Sequence, residues 1–283
     1  MRLLFIGDVV GRAGRAVFVE TVPKLRAAWR LDCVIANGEN AAGGFGITEA
    51  VCADLLGAGA DCITLGNHAF DQREALVFIA REPRLIRPLN YPSGTPGAGA
   101  CAVETAAGAR VLVVNLMGRV FMDALDDPFA AAAREIAACP LGAGCDAFVI
   151  DFHAEASSEK QAFAHFVDGR VSLVAGTHTH VPCADEQILP HGTAYITDAG
   201  MTGDYDSVIG MEKEEPVHRF TTKLPAARFE PASGPATLCG VAVELGANGL
   251  ATKIAPLRIG GRLSQTCPEF WDTPQAAAAQ YSS

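Results

Sequence analysis

Five apolar runs in this chain each break at polar side chains able to bind a metal ion, and that recurrence constrains the fold most. "RLLFIG" is followed by Asp8, and "DCVIANGEN" leaves its apolar part at Ala36 and reaches Glu39 and Asn40. "DCITLGNH" delivers Asn67 and His68, "DAFVIDFH" ends at Asp151 and His153, and "VSLVAGTHTH" closes on His178 and His180. Short, continuous apolar runs bounded by such residues read as strands buried on both faces. Helical stretches lie between them: an amphipathic segment from about Gly14 to Trp29, then Thr48–Gly57, Arg73–Ala80, Pro128–Ala138 and Ser157–Phe166. Buried strands alternating with helices predict a layered α/β sheet, whose chemistry gathers at the carboxyl ends of its strands.

The later chain is more β-like. "ACAVETAAGARVLVVNLMG" reads as a hairpin turning at Gly108, and "YPSGTPGAG" before it as a surface loop. A short helix is expected at Glu212–Thr221, then two antiparallel strands, Ala236–Leu245 and Ala251–Arg258, joined at "ANG". Antiparallel strands added to parallel ones predict two sheets flanked by helices. One domain is expected over residues 1–262, with 263–283 as a loosely ordered tail.

Bulk properties exclude several function classes. With 49% hydrophobic and 19% charged residues in 283, the chain can bury a sizeable core. A formal net charge of −10 opposes binding to long nucleic acid, which needs many cationic contacts to phosphate. A small phosphate ester is still compatible if a metal cluster reverses the local field. The nine cysteines are odd in number and form no C-x-x-C pair, so they read as buried thiols in a reducing compartment. "MRLLFIGD" turns polar at once and no apolar stretch reaches spanning length, so a soluble cytoplasmic protein without membrane contact is expected.

Each strand-end residue has an ordinary alternative. Asp8 either caps a following helix or binds a ligand, Glu39–Asn40 fits a turn, Asn67 fits an Asx-turn, and His153 alone fits a hydrogen-bonded core position. The conjunction carries the signal: four of seven histidines stand beside strand ends with carboxylates or amides nearby, while His165, His191 and His218 lack that setting. Oxygen and imidazole donors without thiolate suit manganese, iron or zinc. "GDVVGRAG" lacks both the dinucleotide-loop spacing and a P-loop lysine, so metal ligation by Asp8 explains it better.

In order, "GDVVG", "NGEN", "TLGNHAFD", "DFHAEASSEK" and "AGTHTHVP" resemble the calcineurin-like metallophosphoesterases, and within them the bacterial YmdB-type branch of 2′,3′-cyclic nucleotide phosphodiesterases. The likeness continues through "NLMGRVFM", "TDAGMTG" and "SVIGM". It implies a four-layer α/β/β/α sandwich of two mixed sheets and a pair of transition-metal ions, iron or manganese. By this resemblance Asp8, Glu39, Asn40 and His180 hold the first ion. Glu39, Asn67, His153 and His178 hold the second, with Glu39 bridging. The wider superfamily opens with D-x-H; here Val10 stands at that histidine's place and Asn40 fills the vacancy. The implied reaction is in-line attack of a metal-bridging hydroxide on a small cyclic nucleotide, with His68 as general acid and Asp71 supporting its loop. Arg119 is the basic candidate for a phosphate contact, or else a salt-bridge partner. "GMTG", with Thr202, either brings amides to a ligand or is a plain turn. A phosphomonoesterase or nuclease with the same site, and a regulatory protein of RNA metabolism or signalling, stand as alternatives. Self-association stays open.

Overall fold

The computed structural model describes residues 1–271. In chain order the first half contains β1 (Arg2–Ile6), β2 (Asp8–Val9), α1 (Gly11–Trp29), β3 (Cys33–Asn37), α2 (Glu49–Gly57), β4 (Cys62–Thr64), α3 (Ala75–Phe78), β5 (Leu85–Ile86), β6 (Ala100–Glu104) and β7 (Arg110–Met117). The second half contains α4 (Pro128–Ala138), β8 (Ala147–His153), α5 (Ser157–Val167), β9 (Leu173–Thr177), β10 (Gln187–Ile188), β11 (Ala194–Ile196), β12 (Met201–Asp204), α6 (Glu214–Thr222), β13 (Ala236–Leu245) and β14 (Ala251–Ile259). One mixed sheet runs β2-β12-β13-β1-β3-β4-β5, with β14 also on β13. The other runs β10-β11-β9-β8-β7-β6.

The layering follows from side chains alternating across each strand. On β1, Leu4 and Ile6 enter a core beneath α1 and α2, while Leu3 and Phe5 enter the core between the sheets. On β7, Val111 and Val113 face the same inter-sheet core, while Leu112, Val114 and Leu116 pack beneath α4 and α5. Three cores separate four layers: helices, sheet, sheet, helices. That is the expected α/β/β/α sandwich of two mixed sheets. It also explains the continuous apolar runs, since every central strand is covered on both faces.

Local chemistry sets several element ends. Thr48 caps α2 by accepting from Val51 N at 3.2 Å, and Asp127 caps α4 through Phe129 N at 2.8 Å, with Pro128 in the first turn. The helix expected over Arg73–Ala80 is only the single turn α3, because Leu76 and Val77 face solvent and no side chain caps its start. The expected loose tail begins with packed residues. Thr266 pairs with Arg258, and the buried Trp271 ring lies 5.6 Å from Trp29 while its indole N–H donates to Glu244 Oε2 at 3.0 Å. The rest of that tail lies outside the described residues. All nine cysteines are free, with Cys33, Cys62 and Cys101 packed between the sheets. No helix among the described residues is long and apolar enough to cross a membrane.

Candidate metal centre

β1, β3 and β4 are parallel in one sheet, and β7, β8 and β9 are parallel in the other. Their carboxyl ends meet along one rim. Asp8 follows β1, Glu39 and Asn40 follow β3, Asn67 and His68 follow β4, His153 ends β8, and His178 and His180 follow β9. Asp151 links the two sheets beneath that rim. It accepts from Asn37 Nδ2 at 3.0 Å, Thr64 Oγ1 at 2.5 Å and Thr177 Oγ1 at 2.6 Å, all buried. Burial lifts its carboxyl to about 6, although the His153 charge and these hydrogen bonds pull the other way.

The partners outside the cluster set the ring tautomers inside it. Thr177 gives its hydroxyl proton to Asp151, so its oxygen accepts from His153 Nδ1–H at 2.9 Å and the His153 Nε2 lone pair faces inward. His178 Nε2 lies 3.2 Å from Glu155 Oε2, which leaves its Nδ1 facing His153 Nε2 at 3.1 Å. His180 Nδ1–H donates to the Ile209 carbonyl at 2.7 Å, which turns its Nε2 inward.

Oxygen atoms face two of these lone pairs, those of His153 and His180. His153 Nε2 is 3.1 Å from Glu39 Oε1 and 2.9 Å from Asn67 Oδ1. His180 Nε2 is 3.7 Å from Asp8 Oδ1 and 3.1 Å from the Asn40 amide, which is itself 3.3 Å from Glu39 Oε1. Glu39 Oε1 therefore touches both groups of ligand atoms. Asp8 Oδ1 is buried without a hydrogen-bond partner, and Asp8 is fully buried with its carboxyl raised by that burial. Convergent lone pairs around an unpaired buried carboxylate oxygen need a cation, and the mixed nitrogen and oxygen donors fit divalent transition ions. Glu39, His153 and His178 alone form a group whose ligand atoms lie within 4.8 Å of one another. Without an ion, a proton takes that role. Burial disfavours charge on His153, but the adjoining Glu39 carboxylate outweighs it and raises the ring to about 9. Burial works against the Glu39 charge too, yet His153 draws Glu39 down to about 2.

The backbone is fitted to this crowding. A Cβ on Gly66 would stand 2.3 Å from His153 Nε2 and 2.4 Å from Glu39 Oε2, so only glycine admits both side chains. His178 and His180 both take positive φ, 99° and 65°. A buried ion pair holds that loop: Lys160 Nζ donates to Thr177 O at 2.8 Å and to Asp198 Oδ2 at 2.9 Å, and Asp198 also accepts from Thr179 N and Oγ1.

His68 stands beside this set. Its backbone N–H donates to Glu39 Oε2 at 2.9 Å, its Nδ1 is 2.7 Å from Asp71 Oδ2, and its ring meets the Phe45 edge at 5.1 Å. It lines a cavity of about 670 Å³ together with Glu39, Asn40, His178 and His180. Arg119 and Thr202 do not line that cavity. The Arg119 guanidinium lies 3.7 Å from Asp127, and its backbone N–H donates to Glu159 at 3.0 Å. The buried Thr202 hydroxyl faces the Cys239 carbonyl at 3.3 Å. The cations of the cavity wall are instead Arg219 and Lys223, from α6 and its end. Sequence reading also passed over Thr177 and Glu155 as tautomer-setting partners. Both lie in the runs that supply ligands, but their spacing carries no mark of that role.

The YmdB-like protein family profile matches residues 4–257. The chain belongs to that family. It is 51% identical over 245 residues to a Bacillus subtilis (strain 168) protein named 2′,3′-cyclic-nucleotide 2′-phosphodiesterase, covering 87% of this chain and 91% of the relative. A crystal structure of a hypothetical protein from Thermus thermophilus superposes with a TM-score of 0.86 at 44% identity, covering 93% of this chain and 100% of that one. That of a novel phosphatase from Mycoplasma pneumoniae superposes with 0.84 at 35% identity, covering 92% and 93%. The span of the YmdB-like profile, residues 4–257, includes every strand end that builds this centre.

Proposed function

We propose that the chain is a phosphodiesterase that opens small cyclic nucleotides, 2′,3′-cyclic ones foremost, at a centre of two iron or manganese ions. The observation that carries this reading is the convergence of three inward imidazole lone pairs on Glu39, Asn67 and the unpaired Asp8 oxygen, with His68 beside them but turned to Asp71. The name of the relative that is 51% identical supports the substrate class. Asp8, Glu39, Asn40 and His180 would hold one ion, and Glu39, Asn67, His153 and His178 the other. Asn40 would turn its amide so that the carbonyl oxygen faces the ion. Bound there, the pair supplies Lewis acidity to a phosphoryl group.

The chain's own residues do the rest. A water oxygen joins phosphorus in line as the bond from phosphorus to a ribose oxygen breaks, and that ribose oxygen, a poor leaving group, takes up a proton as it departs. His68 supplies that proton, and the product is a nucleoside monophosphate. Asp71 holds Nδ1, so the ring's other nitrogen is the one available to the substrate. Such general-acid help is worth ~10²–10⁴ in rate. The acidic balance of the chain suits a small substrate, since few phosphates beyond the centre would meet cations. A panel of 2′,3′-cyclic, 3′,5′-cyclic and monoester nucleotides, with an internally labelled RNA, tests the reading on protein of measured metal content. Fastest turnover is expected on the 2′,3′-cyclic mononucleotide. Faster internal cleavage of the RNA would favour a nuclease instead.

A further inference from the structure

The turn Val208–Met211 carries a residue that its backbone disfavours. Val208 and Met211 exchange both backbone hydrogen bonds, at 2.9 and 3.0 Å, across two central residues with positive φ, Ile209 at 46° and Gly210 at 95°. A tight turn with positive φ at both centres selects Asn-Gly or Gly-Gly, and a β-branched residue at its first centre is a genuine outlier. Neighbours pin the conformation. Gly210 N–H donates to Ser207 Oγ at 2.9 Å, Gly210 O accepts from Ala232 N at 2.8 Å, and Ile209 O accepts from His180 Nδ1 at 2.7 Å. A Cβ on Gly210 would meet Val10 Cγ1 at 2.8 Å, so the second centre admits only glycine.

None of this requires isoleucine at 209. Asparagine would present the same carbonyl to His180 and suit the positive φ better. The side chain is 54% exposed, so it adds little to the core. What isoleucine offers over asparagine is apolar surface on the cavity that holds the metal-competent residues, in a wall shared with Phe45, Val181, Met211 and Phe229. Of the cations in that wall, Arg219 is already engaged by Glu215 and the Ala227 carbonyl, and its guanidinium lies 4.0 Å from the Phe229 ring centre.

We infer that Ile209 is a specificity-determining residue, held in a strained turn so that its side chain forms the apolar ledge for the nucleobase of the bound nucleotide. This rests on the cyclic-nucleotide reading above. Strain retained against a ready alternative marks a functional contact.

The test compares wild type, Ile209→Asn and Ile209→Leu, each with measured metal content. Two diesters are used, adenosine 2′,3′-cyclic phosphate and the base-free methyl 4-nitrophenyl phosphate. Ile209→Asn is expected to raise the melting temperature by about 2–4 °C. It should raise KM for the cyclic nucleotide by about 5–10-fold, the scale of one aliphatic contact, and move KM for the base-free ester less than twofold. Ile209→Leu keeps the ledge and should keep the discrimination within about twofold. Equal KM changes on both esters, a lower melting temperature or lost metal in Ile209→Asn would each overturn the inference. Wild-type protein that turns over the base-free ester but not the cyclic nucleotide would overturn the functional reading itself.

Discussion

Replacing Thr177 by valine removes one hydroxyl from the deepest part of the site and leaves its shape intact. That hydroxyl accepts from His153 Nδ1 at 2.9 Å and donates to Asp151 Oδ1 at 2.6 Å, and all three residues have no exposed surface. Asp151 Oδ2 keeps Thr64 and Asn37 as donors, and Lys160 still bonds the main-chain oxygen of residue 177, but Asp151 Oδ1 loses the Thr177 donor and the His153 N–H loses its acceptor. An unsatisfied buried donor costs about 1–3 kcal/mol, and complete burial favours the upper half of that range. The ring also loses the partner that turns its Nε2 lone pair inward, and losing such a partner lowers metal affinity by about 10–100-fold, or roughly 1.4–2.7 kcal/mol. Denaturant unfolding of the metal-free protein reads the first effect, and competition with a chelator of known affinity reads the second. Thr177→Ser should restore both. Wild-type metal affinity in Thr177→Val would refute the derivation of the His153 tautomer.

Other expectations concern single elements of the site. His68→Ala should keep its metal and lose about 10²–10⁴ in rate on a cyclic nucleotide, but much less on a nitrophenyl ester, whose leaving anion needs little protonation; equal losses on both would remove the proton-donor role. Lys160→Met leaves Asp198 buried without its cation and should cost about 3–5 kcal/mol, with Asp198→Asn in the same chain recovering part of it; a denaturation midpoint unchanged from wild type would show that the pair does not hold the 177–180 loop. In metal-stripped protein the His153 proton replaces an ion. A ring raised to about 9 stabilises fully below its ordinary 6.5, and that contribution is lost as pH rises through 9, whereas Glu39, lowered to about 2, contributes above its ordinary 4.5. Melting temperature should then fall toward pH 9 more steeply in stripped than in metal-loaded protein; parallel curves would contradict the exchange of proton for ion.

The sheet and its rim were legible in the sequence for one physical reason. Strands covered on both faces are almost wholly apolar, so the metal-competent residues that close each run mark its carboxyl end, as at Asp8, His153 and His178. The span Ala236–Leu245 was likewise readable because its apolar run ends at a turn. What was not legible depends on contacts across the sheets. Nothing in "DFH" tells that Asp151 binds Thr64 and Asn37 from the opposite sheet, or that Thr177 joins it to His153. Arg119 lies 3.7 Å from Asp127, in keeping with the salt-bridge alternative, and Thr202 faces the Cys239 carbonyl; linear spacing shows neither partner. α6 contributes cavity-wall residues without any recognisable motif, and the Ile209 turn hides its strain, since the expected signal there is asparagine.

Elemental analysis of anaerobically purified, active protein, wild type beside Glu39→Ala, tests the metal centre most directly. Glu39 Oε1 touches both groups of ligand atoms, so its loss should empty both positions. About two transition-metal ions per chain are predicted for the wild type and close to none for the variant, with turnover lost in step. Active wild type with one ion or none, or Glu39→Ala retaining two ions and near-normal turnover, would contradict the shared centre.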